Sequence, residues 1–292
     1  MKGRKRFERF RPFGKFIKIF VHFCKVKSIS STSNPFIKKI LLLQEKSKLR
    51  KEENIFIIDG WKETQMAIAN GFEIETILCK QSIVNSPLFI EIQSTVDSRQ
   101  QTVDFIEVSD DVFDKIAVRG NTSKVVAIAK QKHLILNEIK QDKNPIFLVL
   151  DGVEKPGNLG AILRIADAAN ITAVICCDTK TDIYNPNVIR SSVGCLFTQQ
   201  IVVCSKEDGL HYFQQNNIDV YTTSLKAAKN YLDVKYTNGS AFVFGTEATG
   251  VDAFWENNST QNIIIPMRGQ NDSLNVSNSV AIVLFEALRQ RN

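Results

Sequence analysis

The chain has 292 residues, 43% of them apolar, which is enough for two compact domains. No stretch reaches the roughly 18–20 uninterrupted apolar residues of a membrane span, so a membrane protein is excluded and a soluble, cytoplasmic one is expected. The net charge of +6 is uneven: residues 1–33 carry ten Lys and Arg against one acid, residues 34–144 carry equal numbers of each sign, and residues 145–292 are net acidic. Any basic patch on the folded domains must therefore be local. The six cysteines form no CxxC pair and read as buried, reduced thiols. The three histidines are scattered, which disfavours a zinc site or a His-based triad.

Residues 1–33 form a basic extension expected to be flexible, with Phe7, Phe10, Phe13, Phe16, Phe20 and Phe23 set among the cations. Three readings stay open for it: an RNA-binding arm, an organelle-targeting segment, or an extension with no specific role. From residue 34 the texture changes. Residues 35–51 predict one helix. Strands are expected at 55–58, 74–79, 103–108 and 125–129, and helices at 61–70 and 110–118. This alternation defines a small α/β domain over 34–133, followed by a polar linker over 134–144.

The second half, residues 145–292, restarts with a buried strand at 146–150. A glycine-rich turn over 151–160 leads into a helix at 161–169, and further strands are expected at 173–177, 200–204, 219–222, 241–244 and 262–265. The last helix is expected from Ser273 to about Arg289, with Asp272 or Ser273 as its N-cap.

Three blocks in this half stand out. In the first, Gly152, Gly157 and Gly160 surround Asn158, and Arg164 follows. It fails the P-loop test, because Asn158-Leu159 stand where Lys-Ser/Thr is needed, and it lacks GxGxxG. Arg164 sits among Ile162, Leu163, Ile165 and Ala166, where burying an unpaired guanidinium would be costly. A cation there suits a phosphate or carboxylate partner. In the second block a buried strand ends at Gly245, Glu247 and Gly250. Gly245 would let backbone approach a ligand, and Glu247 could orient a polar group or pair with Arg164. In the third, Ile265, Pro266 and Met267 end a strand, and Ser273, Leu274, Asn275 and Ser277 open the last helix. Taken alone, each block also fits an ordinary loop or cap.

In order and spacing, the three blocks together resemble the signature motifs of the SpoU-type (TrmH-like, SPOUT superfamily) RNA 2′-O-ribose methyltransferases, over residues 146–290. More loosely, residues 34–133 resemble the L30e/L7Ae-like substrate-binding domain that precedes the catalytic domain in many members, through Lys48, Arg50, Phe56, Asp59 and Gly60. The resemblance implies an α/β trefoil-knot domain behind a smaller α/β domain, S-adenosyl-L-methionine as cofactor, and an obligate homodimer. It implies that Gly245, Ile265, Met267 and Leu274 line the cofactor, and that Asn158, Arg164, Glu247, Ser273 and Asn275 are catalytic or substrate-positioning. The implied substrate is structured RNA, with large-subunit (23S-type) ribosomal RNA ahead of tRNA. A non-catalytic RNA-binding factor that keeps the fold is the contrasting reading. Lys155, where members more often carry Asp or Asn, and Asp59, in place of a frequent Glu, depart from the pattern.

Overall fold

The computed structural model describes residues 27–84, 86–99, 102–118, 123–246 and 248–291. The phenylalanine-rich stretch over 7–23 and Glu247 lie outside the described residues.

The first half builds a mixed five-stranded sheet. Its elements are β1 (Lys27–Ile29), α1 (Pro35–Glu45), α2 (Ser47–Glu53), β2 (Ile55–Asp59), α3 (Trp61–Ala69), β3 (Ile74–Lys80), α4 (Pro87–Ser98), β4 (Asp104–Val108), α5 (Asp110–Ile116) and β5 (Val125–Lys130). The strand order is β1-β4-β3-β5-β2, with β5 antiparallel to both neighbours. The helix expected over 35–51 is two helices, because Lys46 is extended (φ −103°, ψ 103°) and breaks the run. The break turns Arg50 inward, where it is 1% exposed, instead of leaving it on a basic outer face. Helix α4, missed in the sequence, starts with Pro87 at N1 and Ser86 capping Phe89 N–H.

The second half is a seven-stranded, all-parallel sheet. In chain order it comprises β6 (Ile146–Asp151), α6 (Pro156–Ala168), β7 (Ala173–Cys177), α7 (Pro186–Ser192), β8 (Ile201–Cys204), α8 (Lys206–Gln215), β9 (Asp219–Thr223), β10 (Lys229–Asn230), β11 (Ser240–Phe244), α9 (Ala253–Asn258), β12 (Gln261–Ile264) and α10 (Val276–Arg291). Its order is β10-β12-β9-β11-β6-β7-β8. The central strands β6, β7 and β11 are buried throughout, as a parallel sheet covered on both faces requires. This arrangement, a mixed sheet followed by a parallel one, is the α/β fold class expected.

Two helix starts differ from expectation. Pro156 occupies the first position of α6, where a missing N–H costs nothing, so Gly157, Asn158 and Gly160 belong to its first turns and not to a loop. Gly160 is needed there: a Cβ would meet Ser191 Oγ at 1.9 Å, so α7 rides directly against α6. Helix α10 starts at Val276, and its cap is Asn275, whose Oδ1 accepts from Ser277 N–H at 2.9 Å. Asp272 and Ser273 hydrogen-bond each other instead.

The two halves are joined by buried contacts. Arg50 Nε donates to Asp182 Oδ2 at 2.6 Å, and Arg50 Nη1 donates to Leu43 O at 2.6 Å and Gln44 O at 3.1 Å. The ring of Phe56 meets Tyr184 at 4.4 Å and Phe197 at 6.1 Å between centroids. Within residues 134–144, Leu136–Glu138 form a 3-10 turn and Leu134 bridges to Val202 at the sheet edge. No helix among the described residues is long and apolar enough to cross a membrane.

Candidate active site

In an open parallel sheet, ligands bind outside the carboxyl ends of the strands where the winding direction reverses. Here that point lies between β6 and β11. From β6 the chain winds through β7 to β8, while β9 and β12 lie beyond β11 on the other side. The loops leaving β6 and β11 carry the first two sequence blocks, and the loop leaving β12 carries the third.

A cavity of about 370 Å³ opens at this end of the sheet, lined in part by Gly245, Ile265, Met267, Ser273 and Leu274. All four candidate cofactor residues thus share one cavity with one of the candidate catalytic residues. Gly245 is there for space: an added Cβ would fall 2.0 Å from Gly250 O and 2.4 Å from Val251 N. The Thr246–Gly250 bridge folds the loop back onto it. Asn158 and Asn275 meet beside the cavity, where Asn275 Nδ2 donates to Asn158 Oδ1 at 3.2 Å.

Arg164 corrects one expectation. It is exposed on α6, with Leu159, Ile162, Leu163 and Ala166 turned inward, so helical periodicity removes the burial cost invoked for it. It lies six residues beyond Asn158, about 9 Å further along the helix axis, and does not line the cavity. Its neighbourhood is informative nevertheless. Burial and then Asp167 push the Cys195 thiol up, while Arg164 and Lys62 of α3 oppose them.

Sequence reasoning missed three contributors. Ser224 Oγ donates to Glu256 Oε1 at 2.5 Å, and both line the cavity. Asp151 ends β6 with its Oδ2 accepting Asp252 N–H at 3.0 Å, which ties down the far end of the Gly245 loop. Burial raises the Asp151 carboxyl above its ordinary range, against the lowering bond from Asp252 N–H. Ser224 and Glu256 lie outside the glycine-rich blocks, and α9, which carries Glu256, has no long apolar period to reveal it. Asp151 closes an apolar run, which is the one sequence signal it gives.

Comparison with known proteins follows the same division of the chain. Residues 145–285 match the SpoU rRNA Methylase family and residues 34–127 match the MRM3-like substrate binding domain. A 23S rRNA (guanosine(2553)-2′-O)-methyltransferase, RlmP of Bacillus subtilis, is 27% identical over 261 residues, covering 89% of this chain and 98% of that one. A 23S rRNA (guanosine-2′-O-)-methyltransferase, RlmB of Haemophilus influenzae, is 38% identical over 176 residues, covering 59% of this chain and 72% of that one. Among solved structures, an RNA 2′-O ribose methyltransferase is 36% identical with a TM-score of 0.76, covering 90% of this chain and 99% of its own. An AdoMet-bound rRNA methyltransferase from Sinorhizobium meliloti is 29% identical with a TM-score of 0.82, covering 90% and 98%.

Proposed function

Because this chain belongs to the SpoU rRNA methylase family, we propose that it transfers a methyl group from S-adenosyl-L-methionine to a ribose 2′-hydroxyl of large-subunit ribosomal RNA. The observation that carries this reading is that the second and third sequence blocks line one cavity at the carboxyl end of the parallel sheet, with Asn158 of the first block bonded to Asn275 beside it. The ribosomal substrate, in preference to tRNA, rests on the similarity to RlmP and RlmB, both named as 23S rRNA methyltransferases.

The cavity fits such a cofactor. Its walls mix loop backbone at Gly245, Thr246 and Gly250 with apolar side chains at Ile265, Met267 and Leu274. Backbone groups of this kind suit an adenine edge, and Gly245 lets the loop fold back tightly onto Gly250 to form that wall. Bound S-adenosylmethionine supplies an electrophilic methyl group. The chain's own residues align the ribose and help its hydroxyl lose a proton. Asn158 and Asn275 position the ribose and the loop before α10, together with Ser273. Arg164 serves as a cation and not as the base, because a guanidinium rarely gives up its proton. Its exposed position suits binding of the RNA phosphate and stabilisation of charge developing on the 2′-oxygen. Proton acceptance then falls to that phosphate or to water. Glu247, by its motif position, orients Arg164 or the substrate.

Residues 34–133 serve as the RNA-binding unit, 134–144 as the connection and 145–292 as the transferase. The buried Arg50–Asp182 bond, which ties the two halves together, supports substrate bound by both. The working form we propose is a homodimer, and Phe285 of α10, a large apolar side chain left 49% exposed, fits such an interface. The test is methyl transfer in vitro to large-subunit rRNA, with cofactor binding followed by calorimetry. Wild type binds and transfers. Arg164→Ala binds the cofactor with little change and fails to transfer. Wild-type turnover by Arg164→Ala would remove its role, and a wild-type protein that does not bind S-adenosylmethionine would overturn the proposal.

A further inference from the structure

Cys177 and Cys204 are register partners at the carboxyl ends of the adjacent strands β7 and β8. Strand alternation sends Cys176 to the opposite face, while Cys177 and Cys204 share the face covered by α8. Gly209 of α8 leaves them room: a Cβ there would lie 3.5 Å from Cys177 Sγ and 3.7 Å from Cys204 Sγ. The Cys177 thiol donates to Ser205 O at 3.8 Å, with the Cys204 thiol as its neighbour on the adjacent strand. Neighbouring strands run about 4.7–4.9 Å apart, within the roughly 4.4–6.8 Å Cα separation that a disulfide spans.

Access divides the pair. Cys177 is 0% exposed. Cys204 is half-buried and lines an open cavity of about 470 Å³ with Val203, Asp208, His211 and Tyr212. A small solute therefore reaches Cys204 first, with Cys177 directly behind it. The neighbouring Cys177 thiol lowers the Cys204 thiol, helped by Gly209 N–H and opposed by burial, Asp208 and Asp178. The same thiol contact and burial push Cys177 up. The difference in access, with Cys204 reached first and Cys177 behind it, is the arrangement of a peroxidatic and resolving pair.

We propose that Cys177 and Cys204 form a modification site for hydroperoxides, a dithiol that closes to an intramolecular disulfide. The Cys204 thiolate attacks one peroxide oxygen, the O–O bond breaks and hydroxide leaves, giving a sulfenic acid. The Cys177 sulfur then attacks the Cys204 sulfur. The S–O bond breaks, the S–S bond forms, and the departing oxygen leaves as water with the Cys177 proton. In sum, two thiols and one hydrogen peroxide give one disulfide and two waters.

The test uses the full chain, reduced and desalted, treated with a small molar excess of hydrogen peroxide. Remaining thiols are then blocked with N-ethylmaleimide under denaturing conditions, and peptides are analysed unreduced by mass spectrometry. The expected product is a 177–204 link with two blocked thiols lost per chain, both reversed by dithiothreitol. Cys204→Ser and Cys177→Ser abolish the link, while Cys176→Ser and Cys195→Ser keep it, which separates the adjacent sulfurs 176 and 177. Cys204 recovered as a sulfenic or sulfinic acid with Cys177 still alkylated would overturn the proposal, as would oxidation confined to Cys195. The readout is the thiols themselves, so it is independent of methyl transfer.

Discussion

Asn275 Nδ2 donates to Asn158 Oδ1 at 3.2 Å, joining the start of α10 to the first turn of α6 across 117 residues of chain. The same Asn275 caps α10 through its Oδ1, which accepts Ser277 N–H at 2.9 Å and Ser277 Oγ at 2.6 Å. One amide therefore does two separable jobs. Asn275→Asp keeps an acceptor for the cap but has no amide to donate. It should leave the thermal midpoint nearly unchanged and slow methyl transfer, on the order of 100-fold for a misplaced reacting group. Asn275→Ala should also lose about 1 kcal/mol of stability with the cap. Equal kinetics for Asn275→Asp and wild type would show that the bridge has no part in positioning.

Gly245 is the residue at which the cavity has no tolerance. A Cβ 2.0 Å from Gly250 O meets backbone, which cannot swing aside as a side chain can. Gly245→Ala should weaken S-adenosylmethionine binding by at least about tenfold, equivalent to about 1.4 kcal/mol, as read by isothermal calorimetry. Unchanged affinity would move the cofactor away from this loop.

The bond between the two halves has a defined energetic signature. Arg50 is 1% exposed and Asp182 7% at their side chains. Arg50→Met strands a buried carboxylate and two carbonyls, and should cost about 3–5 kcal/mol. Adding Asp182→Leu removes the stranded charge and should recover part of that loss. Urea denaturation of the single and double variants decides the matter, and simple additivity of the two losses would contradict the coupling.

Acid stability should depend on Glu286. Its carboxylate accepts from Arg289 at 2.8 and 2.7 Å and from Gln290 at 2.8 Å, and the Arg289 bonds foremost hold its pKa down to about 2. A carboxyl lowered by folding adds stability above its ordinary value of 4.5, and that stability is lost as pH falls through about 2. Glu286→Gln should therefore flatten this part of the stability–pH curve, in thermal melts taken between those two values. A melt series with the wild-type slope would place the acid sensitivity elsewhere.

Much of the fold was legible because parallel-sheet strands are long apolar runs. The strands 146–150 and 173–177 come within a residue of β6 and β7. Helices α7, α8 and α9 were missed, since Pro186, Ser205 and Asp252 mark their starts only once neighbouring strands are fixed. The four cofactor candidates came from the family resemblance of their motifs, and the fold brings them to one cavity. Arg164 was found for the wrong reason, as a cation costly to bury, whereas the helix turns it outward. Neither Asp151 nor the Ser224–Glu256 pair was found, because each acts through a partner distant in sequence. The Cys177–Cys204 neighbourhood needed the register of two strands, which no spacing in the sequence encodes.

The central claim is tested most directly by mapping 2′-O-methylated nucleotides in total RNA from cells with and without this protein. The account predicts the loss of a ribose methylation from large-subunit rRNA, restored by the wild-type chain and not by Arg164→Ala. An unchanged ribosomal pattern, or a loss confined to tRNA, would contradict it.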